Sequence, residues 1–97
     1  MIDVEVSAAA TADLDEIFRF SLERFGEERA LRYLEEIEEA ILRLRHYPDS
    51  GAIYPGLSMP VRFVTSGSHR IFYTRDEDHL LVIRVLHQAM RAEGRLT

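Results

Sequence analysis

The residues of this chain with the chemistry to act on a substrate cluster in its second half: Arg62, His69, Arg70, Tyr73, Arg84, His87 and Arg91. Cleaving RNA requires a group to activate the 2′-hydroxyl, a group to protonate the leaving oxygen, and a cation for the phosphorane charge. His, Tyr and Arg can fill those roles. Arg70, Tyr73, Arg84 and His87 would form such a set if their strands were neighbours. Each also has an ordinary structural role open to it: Tyr73 as a core tyrosine with its hydroxyl at the rim, Arg70 and Arg84 as partners of nearby acids or carbonyls. No acid belongs to the set. His46, His69, His79 and His87 lack metal-ligand spacing, so no metal site is expected. Ser58, Ser66 and Ser68 lack a nucleophile-elbow glycine pattern and read as turn serines.

Composition narrows the chemistry further. The chain has no cysteine, which excludes a thiol nucleophile, a disulfide framework and any Cys-based metal centre. All 12 basic residues are Arg, so no mechanism can rest on a lysine base or a lysine phosphate clamp. The net charge of −5 argues against non-specific nucleic-acid binding, and no direct sequence-specific binding is expected. The acidity is confined to the first half, with twelve acids against six arginines in residues 1–45 and five against six in residues 46–97. No apolar run approaches the ~20 residues of a membrane span, and the start lacks a signal-peptide pattern. We expect a single cytoplasmic domain over residues 1–97, with no membrane partner and no cofactor.

Positioning such residues falls to elements that the periodicity outlines. Ile2, Val4 and Val6 alternate with Asp3 and Glu5 as in a half-buried strand. Ser7 suits an N-cap for a helix from about Ala8, with Asp13, Asp15 and Glu16 early enough to favour its positive end. Leu14, Ile17, Phe18, Ser21, Leu22 and Phe25 form its apolar stripe, and Gly26 ends it. A second helix opens at Glu27-Glu28, carries Ala30, Leu34, Ile37, Ile41 and Leu44, and stops before Pro48. Its Glu35-Glu36-Ile37-Glu38-Glu39 run reads as a solvated face. Residues 48–60 read as an irregular connection. Strands are predicted at 61–64, 70–74 and 80–86, joined by short loops as an antiparallel meander. The tail from Gln88 to Thr97 reads as loosely ordered.

The order β-α-α-β-β-β predicts an α+β fold with a helical hairpin packed on one face of a mainly antiparallel sheet. The expected core comprises Phe18, Leu22, Leu34, Ile37, Ile41, Ile71, Tyr73, Ile83 and Val85. The last strand, Leu80 to Leu86, is apolar at both parities except at Arg84, more than a one-sided sheet requires. Either the 48–60 loop and the tail cover the second face, or a partner does.

Ser7-Ala8-Ala9-Ala10 with Asp13-Leu14-Asp15-Glu16-Ile17, Phe25-Gly26-Glu27-Glu28, Ala30-Leu31-Arg32-Tyr33-Leu34, His46-Tyr47-Pro48 and Gly51 resemble the ParE branch of the RelE/ParE superfamily of bacterial type II toxins. Gly67-Ser68-His69-Arg70-Ile71-Phe72-Tyr73 and Val82-Ile83-Arg84-Val85-Leu86-His87 extend the resemblance over nearly the whole chain. It implies the same β-α-α-β-β-β fold and a small ParD-like antitoxin encoded beside the toxin. ParE-like members inhibit DNA gyrase by trapping it on cleaved DNA. RelE-like members are ribosome-dependent messenger RNA endoribonucleases, typically using Lys/Arg clusters with a C-terminal Tyr, or a Glu/Arg/His set. Here there is no lysine, no acid from Gly51 to Thr65 and no tyrosine after Tyr73. Arg70 matches the ribonuclease arginine, and His87 falls near its C-terminal histidine. These departures favour a non-enzymatic gyrase inhibitor over a ribonuclease; an inactive homologue kept as a binding module is the third possibility. The expected antitoxin groove combines Phe20 and Tyr33 with Phe63, Val82 and Arg84, the last pairing with a tail carboxylate.

Overall fold

The computed structural model describes residues 1–96. In chain order the elements are β1 (Asp3–Val6), α1 (Ala8–Phe25), α2 (Glu27–Arg43), β2 (Ala52–Ile53), β3 (Arg62–Ser66), β4 (His69–Arg75) and β5 (His79–His87), then a 3₁₀ turn at Glu93–Arg95. The five strands form one open sheet in the order β1-β5-β4-β3-β2. β3, β4 and β5 make the antiparallel meander, β2 adds an antiparallel edge, and β1 pairs in parallel with β5 from Asp3↔His79 to Val6↔Val82. The parallel pair is possible because the whole α1–α2 hairpin lies between β1 and the meander, giving the long crossover that parallel strands require.

Local chemistry sets the helix ends. The Ser7 hydroxyl accepts from Ala10 N–H at 3.0 Å, capping α1, and donates to the Ile83 carbonyl at 2.9 Å, tying that cap to β5. Gly26, at φ 85°, ends α1 with its N–H on the Leu22 carbonyl and starts α2 in the same residue. A side chain there would be strained, so the direct helix-to-helix corner requires glycine. No acid lies in the first turn of α1, and Asp13 is committed to another contact described below.

The helices pack on one sheet face. Ala10, Ile37, Ala40, Ile41 and Leu44 meet Ile2, Ile71, Tyr73, Leu80, Val82 and Val85, all buried, with Leu14, Ile17 and Tyr33 beside them. Of the expected core, Ile37, Ile41, Ile71, Tyr73 and Val85 belong here; Phe18 and Leu34 are half-buried. Leu22 is 39% exposed, because α1 turns Ala10, Leu14, Ile17 and Ser21 inward rather than the 18/22/25 side of the expected stripe. Ile83 lies on the other face.

That second face is closed by the chain itself. Val61, Phe72, Leu86 and Ala92 are buried there under Tyr54, Leu57, Phe63, Ile83 and Leu96. Tyr54, Phe63 and Phe72 form an aromatic cluster with centroids 5.5 to 6.1 Å apart. The tail is packed rather than loose: Ala92 is 1% exposed, and the Tyr54 hydroxyl donates to Glu93 at 3.2 Å. Thr97, the last residue of the expected tail, lies outside the described residues. The double parity of β5 has a further cause. Opposite Phe72 the register shifts, so that Tyr73 pairs with Val82 and Phe72 with Arg84. The extra residue inverts the strand's alternation, placing Leu80, Val82 and Val85 under the helices and Ile83 and Leu86 on the opposite face.

Candidate functional site

Where the helical hairpin meets the β4–β5 end of the sheet, a cleft of about 750 Å³ opens. Ile17, Phe20 and Phe25 form its helical wall, Val85, Leu86 and Met90 its sheet side, and Tyr33, His69 and His87 one end. Phe20 and Phe25 are 56% and 52% exposed, and each has an arginine over its ring: Arg24 at 5.2 Å from the Phe20 centroid, Arg29 at 4.7 Å from that of Phe25. Such pairs shield part of an exposed aromatic while leaving an edge available to a partner.

Asp13 anchors the sheet side of this cleft to α1. Its carboxylate accepts from Arg84 Nε at 2.7 Å, Arg84 Nη2 at 2.8 Å and Val85 N–H at 2.9 Å. The ion pair raises the Arg84 pKa above its usual value, against the opposing effect of burial. Two side chains of one helix thus serve the bulged stretch of β5, Ser7 at the Ile83 carbonyl and Asp13 at the Val85 amide. Sequence reasoning missed Asp13. The available signal was an acid at i−1 to Leu14 on the inward side of α1, where a charge needs a partner.

A second polar cluster sits where the β3–β4 turn touches α2. The Tyr33 hydroxyl lies 2.6 Å from His69 Nδ1, accepts from Ser68 N–H at 3.1 Å, and has the Ser66 carbonyl and Ser68 hydroxyl each at 3.3 Å. The His69 and His87 rings stand edge to face, 5.3 Å between centroids. Burial, with the neighbouring His87 second, lowers the His69 pKa, and Asp13 opposes weakly. His69 is therefore neutral at pH 7.

The four residues of the ribonuclease alternative do not converge. Tyr73 is wholly buried beneath the helices, its hydroxyl donating to the Pro48 carbonyl at 2.8 Å and accepting from Gly51 N–H at 3.0 Å. Arg70 lies over the Phe63 and Phe72 rings on the other sheet face and holds the tail through the Gln88 carbonyl at 2.9 Å. Arg84 is engaged by Asp13, and only His87 reaches the cleft unpaired by a charge. The expected antitoxin residues divide similarly. Phe20, Tyr33 and Arg84 line the cleft. Val82 is wholly buried, and Phe63 belongs to the aromatic cluster on the opposite face. Among the described residues, no group of three or more His, Cys, Asp or Glu side chains could hold a metal, and no helix is long and apolar enough to cross a membrane.

The family described as ParE toxin of type II toxin-antitoxin system, parDE, matches residues 4–92. This chain belongs to the ParE toxin family. It is 38% identical over 91 residues to Toxin ParE1 of Caulobacter vibrioides, covering 94% of both chains. It is 36% identical over 92 residues to Toxin ParE1 of Mycobacterium tuberculosis, again over 94% of each. The fold is also that of a solved structure described as a chromosomal ParDE TA system from P. aeruginosa, with a TM-score of 0.78 at 24% identity, over 90% of this chain and 96% of that one. The chain is thus a toxin component of a type II toxin–antitoxin system.

Proposed function

We propose that this toxin acts by binding DNA gyrase and stabilising its cleaved-DNA complex, without catalysis of its own, and that a cognate ParD-type antitoxin neutralises it in the cytoplasm. The observation that carries the non-enzymatic reading is the dispersal of Arg70, Tyr73, Arg84 and His87 over two sheet faces, a buried core position and an ion pair. An acid, a base and a phosphate-binding cation need a common reacting centre, and these four have none. Membership of the ParE family supports the gyrase target.

The antitoxin's place in this reading is the 750 Å³ cleft, whose helical wall leaves Phe20 and Phe25 more than half exposed, while Phe72 and Leu86 on the opposite sheet face are buried by the chain itself. An amphipathic segment laid along it would bury both rings and reach the Tyr33–His69–His87 end. The test is direct: purified toxin should promote gyrase-dependent DNA cleavage and leave ribosome-bound messenger RNA intact. Codon-specific cleavage of translated messages, abolished by Arg70→Ala or His87→Ala, would overturn the proposal in favour of the ribonuclease.

A further inference from the structure

The geometry points to the Tyr33–His69–His87 end of the cleft as a carboxylate-binding site, where an Asp or Glu side chain of the docked antitoxin is held by two imidazole N–H groups and His69 takes up a proton on binding. This rests on the reading that the antitoxin occupies the cleft, and it adds a chemical specificity and a pH dependence to that reading.

The hydrogen bonds assign the ring protons. His87 Nδ1 accepts from Ala89 N–H at 3.0 Å, so its proton is on Nε2. His69 Nδ1 is engaged by the Tyr33 hydroxyl at 2.6 Å, which leaves Nε2 as the ring nitrogen free of that contact. With the hydroxyl proton directed at Nδ1, the shortest contact available to it, His69 also carries its proton on Nε2. The two rings, both in the cleft lining, therefore offer one Nε2–H each.

The surroundings of His69 permit a change of charge without a change of structure. If Nδ1 is protonated it becomes the donor to the Tyr33 oxygen, and the displaced hydroxyl proton has the Ser66 carbonyl and Ser68 hydroxyl waiting at 3.3 Å. Nε2 keeps its proton in both states. In the free toxin, burial and His87 keep His69 neutral. A carboxylate placed against Nε2–H supplies the missing opposite charge and raises that pKa. The other ionisable groups lining the cleft are Asp13 and Glu16 on α1, Arg29, Arg32 and Glu36 on α2, and Arg84 on β5, with Arg29 lying over the Phe25 ring. Asp13 is committed to Arg84 and Arg32 is paired with Glu28, which leaves Glu16 and Glu36 as the unpaired acids. These two would repel an incoming carboxylate, and an imidazolium at His69 adds a positive charge beside the Nε2–H donor to offset them.

The sign of the linkage follows. Between the raised pKa of the complex and the lowered pKa of the free toxin, the complex holds the extra proton, so affinity increases as pH falls through that window, by at most about tenfold per pH unit. The experiment is isothermal titration of the full-length chain with the full-length antitoxin encoded beside it, from pH 8 to pH 6, in buffers of differing ionisation enthalpy. Ring ¹H–¹⁵N spectra of His69, free and bound, accompany it. Expected results are tighter binding at lower pH, net proton uptake of up to about one per complex, and a His69 titration moved to higher pH on binding. His69→Gln, which keeps a donor near the Nε2 position but cannot take up a proton, should bind with little pH dependence and no His69-linked uptake. Wild-type affinity that is flat with pH, uptake that survives His69→Gln, or an unmoved His69 titration would overturn the site while leaving the antitoxin reading intact. Should the variant fail to fold, the wild-type spectra decide alone. Absence of a complex at every pH would instead overturn the docking reading itself.

Discussion

Asp13 and Arg84, 71 residues apart in sequence, are joined by two hydrogen bonds of 2.7 and 2.8 Å, and the same carboxylate accepts the Val85 amide. The pair fastens α1 to the stretch of β5 where the alternation inverts. Its two members are not equivalent. Removing Arg84 leaves the carboxylate its amide donor, whereas removing Asp13 orphans the Val85 N–H. We therefore expect Asp13→Ala to cost about 1–3 kcal/mol and to exceed Arg84→Ala by roughly 1 kcal/mol in denaturant unfolding. A larger loss for Arg84→Ala would mean that the ion pair, and not the amide, is what the carboxylate is there to serve.

Helix orientation makes a second contrast measurable. Ile37 has 0% exposure between α1 and the sheet, while Leu22, on the apolar side of α1 by sequence, is 39% exposed. Ile37→Ala should cost about 2–5 kcal/mol through lost contacts and a residual cavity. Leu22→Ala should stay within about 0.5 kcal/mol, the range of ordinary surface changes. Equal losses would place α1 about one residue step around its axis from the orientation described.

How much of this was readable in the sequence differs by element. Both helices, their shared Gly26 corner, the Ser7 cap and the meander follow from periodicity and turn residues, because each signal is local. Leu22 falls outside the core because a stripe at helical spacing defines a face only to within one residue's rotation, and the sheet chooses within that arc. The excess apolarity of β5 is legible, and of its two readings the structure takes cover by the 48–60 loop and the tail; the bulge that adds to it has no sequence signal. A bulge that inverts the alternation and a face covered by Tyr54, Leu57 and Leu96 leave the same apolar signature as an unmet partner surface. β2 is two residues long, too short for any pattern, and β1's parallel pairing with β5 depends on a contact across the whole chain. The site suffered most. Arg84 was legible as a charge in an apolar strand, but its partner, Asp13, is 71 residues away and Tyr33's is 36.

The β3–β4 turn tests the second of those long-range contacts. Gly67 has φ 58°, and a Cβ there would lie 2.5 Å from Tyr33 Cε1. Gly67→Ala therefore meets backbone strain of about 1–2 kcal/mol and a collision with the ring as well. We expect its cost to fall in a Tyr33→Ala background, where only the strain remains, so that the double variant is more stable than the sum of the single changes predicts. Strict additivity in thermal or denaturant unfolding would mean that the turn moves away from Tyr33 freely and does not hold His69 in place.

The last prediction concerns how the antitoxin surface can be probed without confusing binding with folding. Arg84→Glu, which the sequence alone recommends as a charge reversal in the groove, would set a second carboxylate against Asp13 at the contact that fixes β5 to α1. A weakened complex would then report a loosened fold. Phe20→Glu has no such fault, since Phe20 is 56% exposed, with the Arg24 guanidinium 5.2 Å from its ring centroid. Thermal unfolding of the Phe20→Glu toxin alone should match the wild type within the small range of surface changes. Saturating antitoxin should raise the apparent melting temperature of the wild type by mass action, and raise that of Phe20→Glu less at the same concentration. Because the loss is of apolar contact, the difference in affinity should persist at high salt, unlike that of an exposed charge pair. A Phe20→Glu toxin that folds normally and binds the antitoxin as tightly as the wild type would remove the α1 wall of the cleft from the interface.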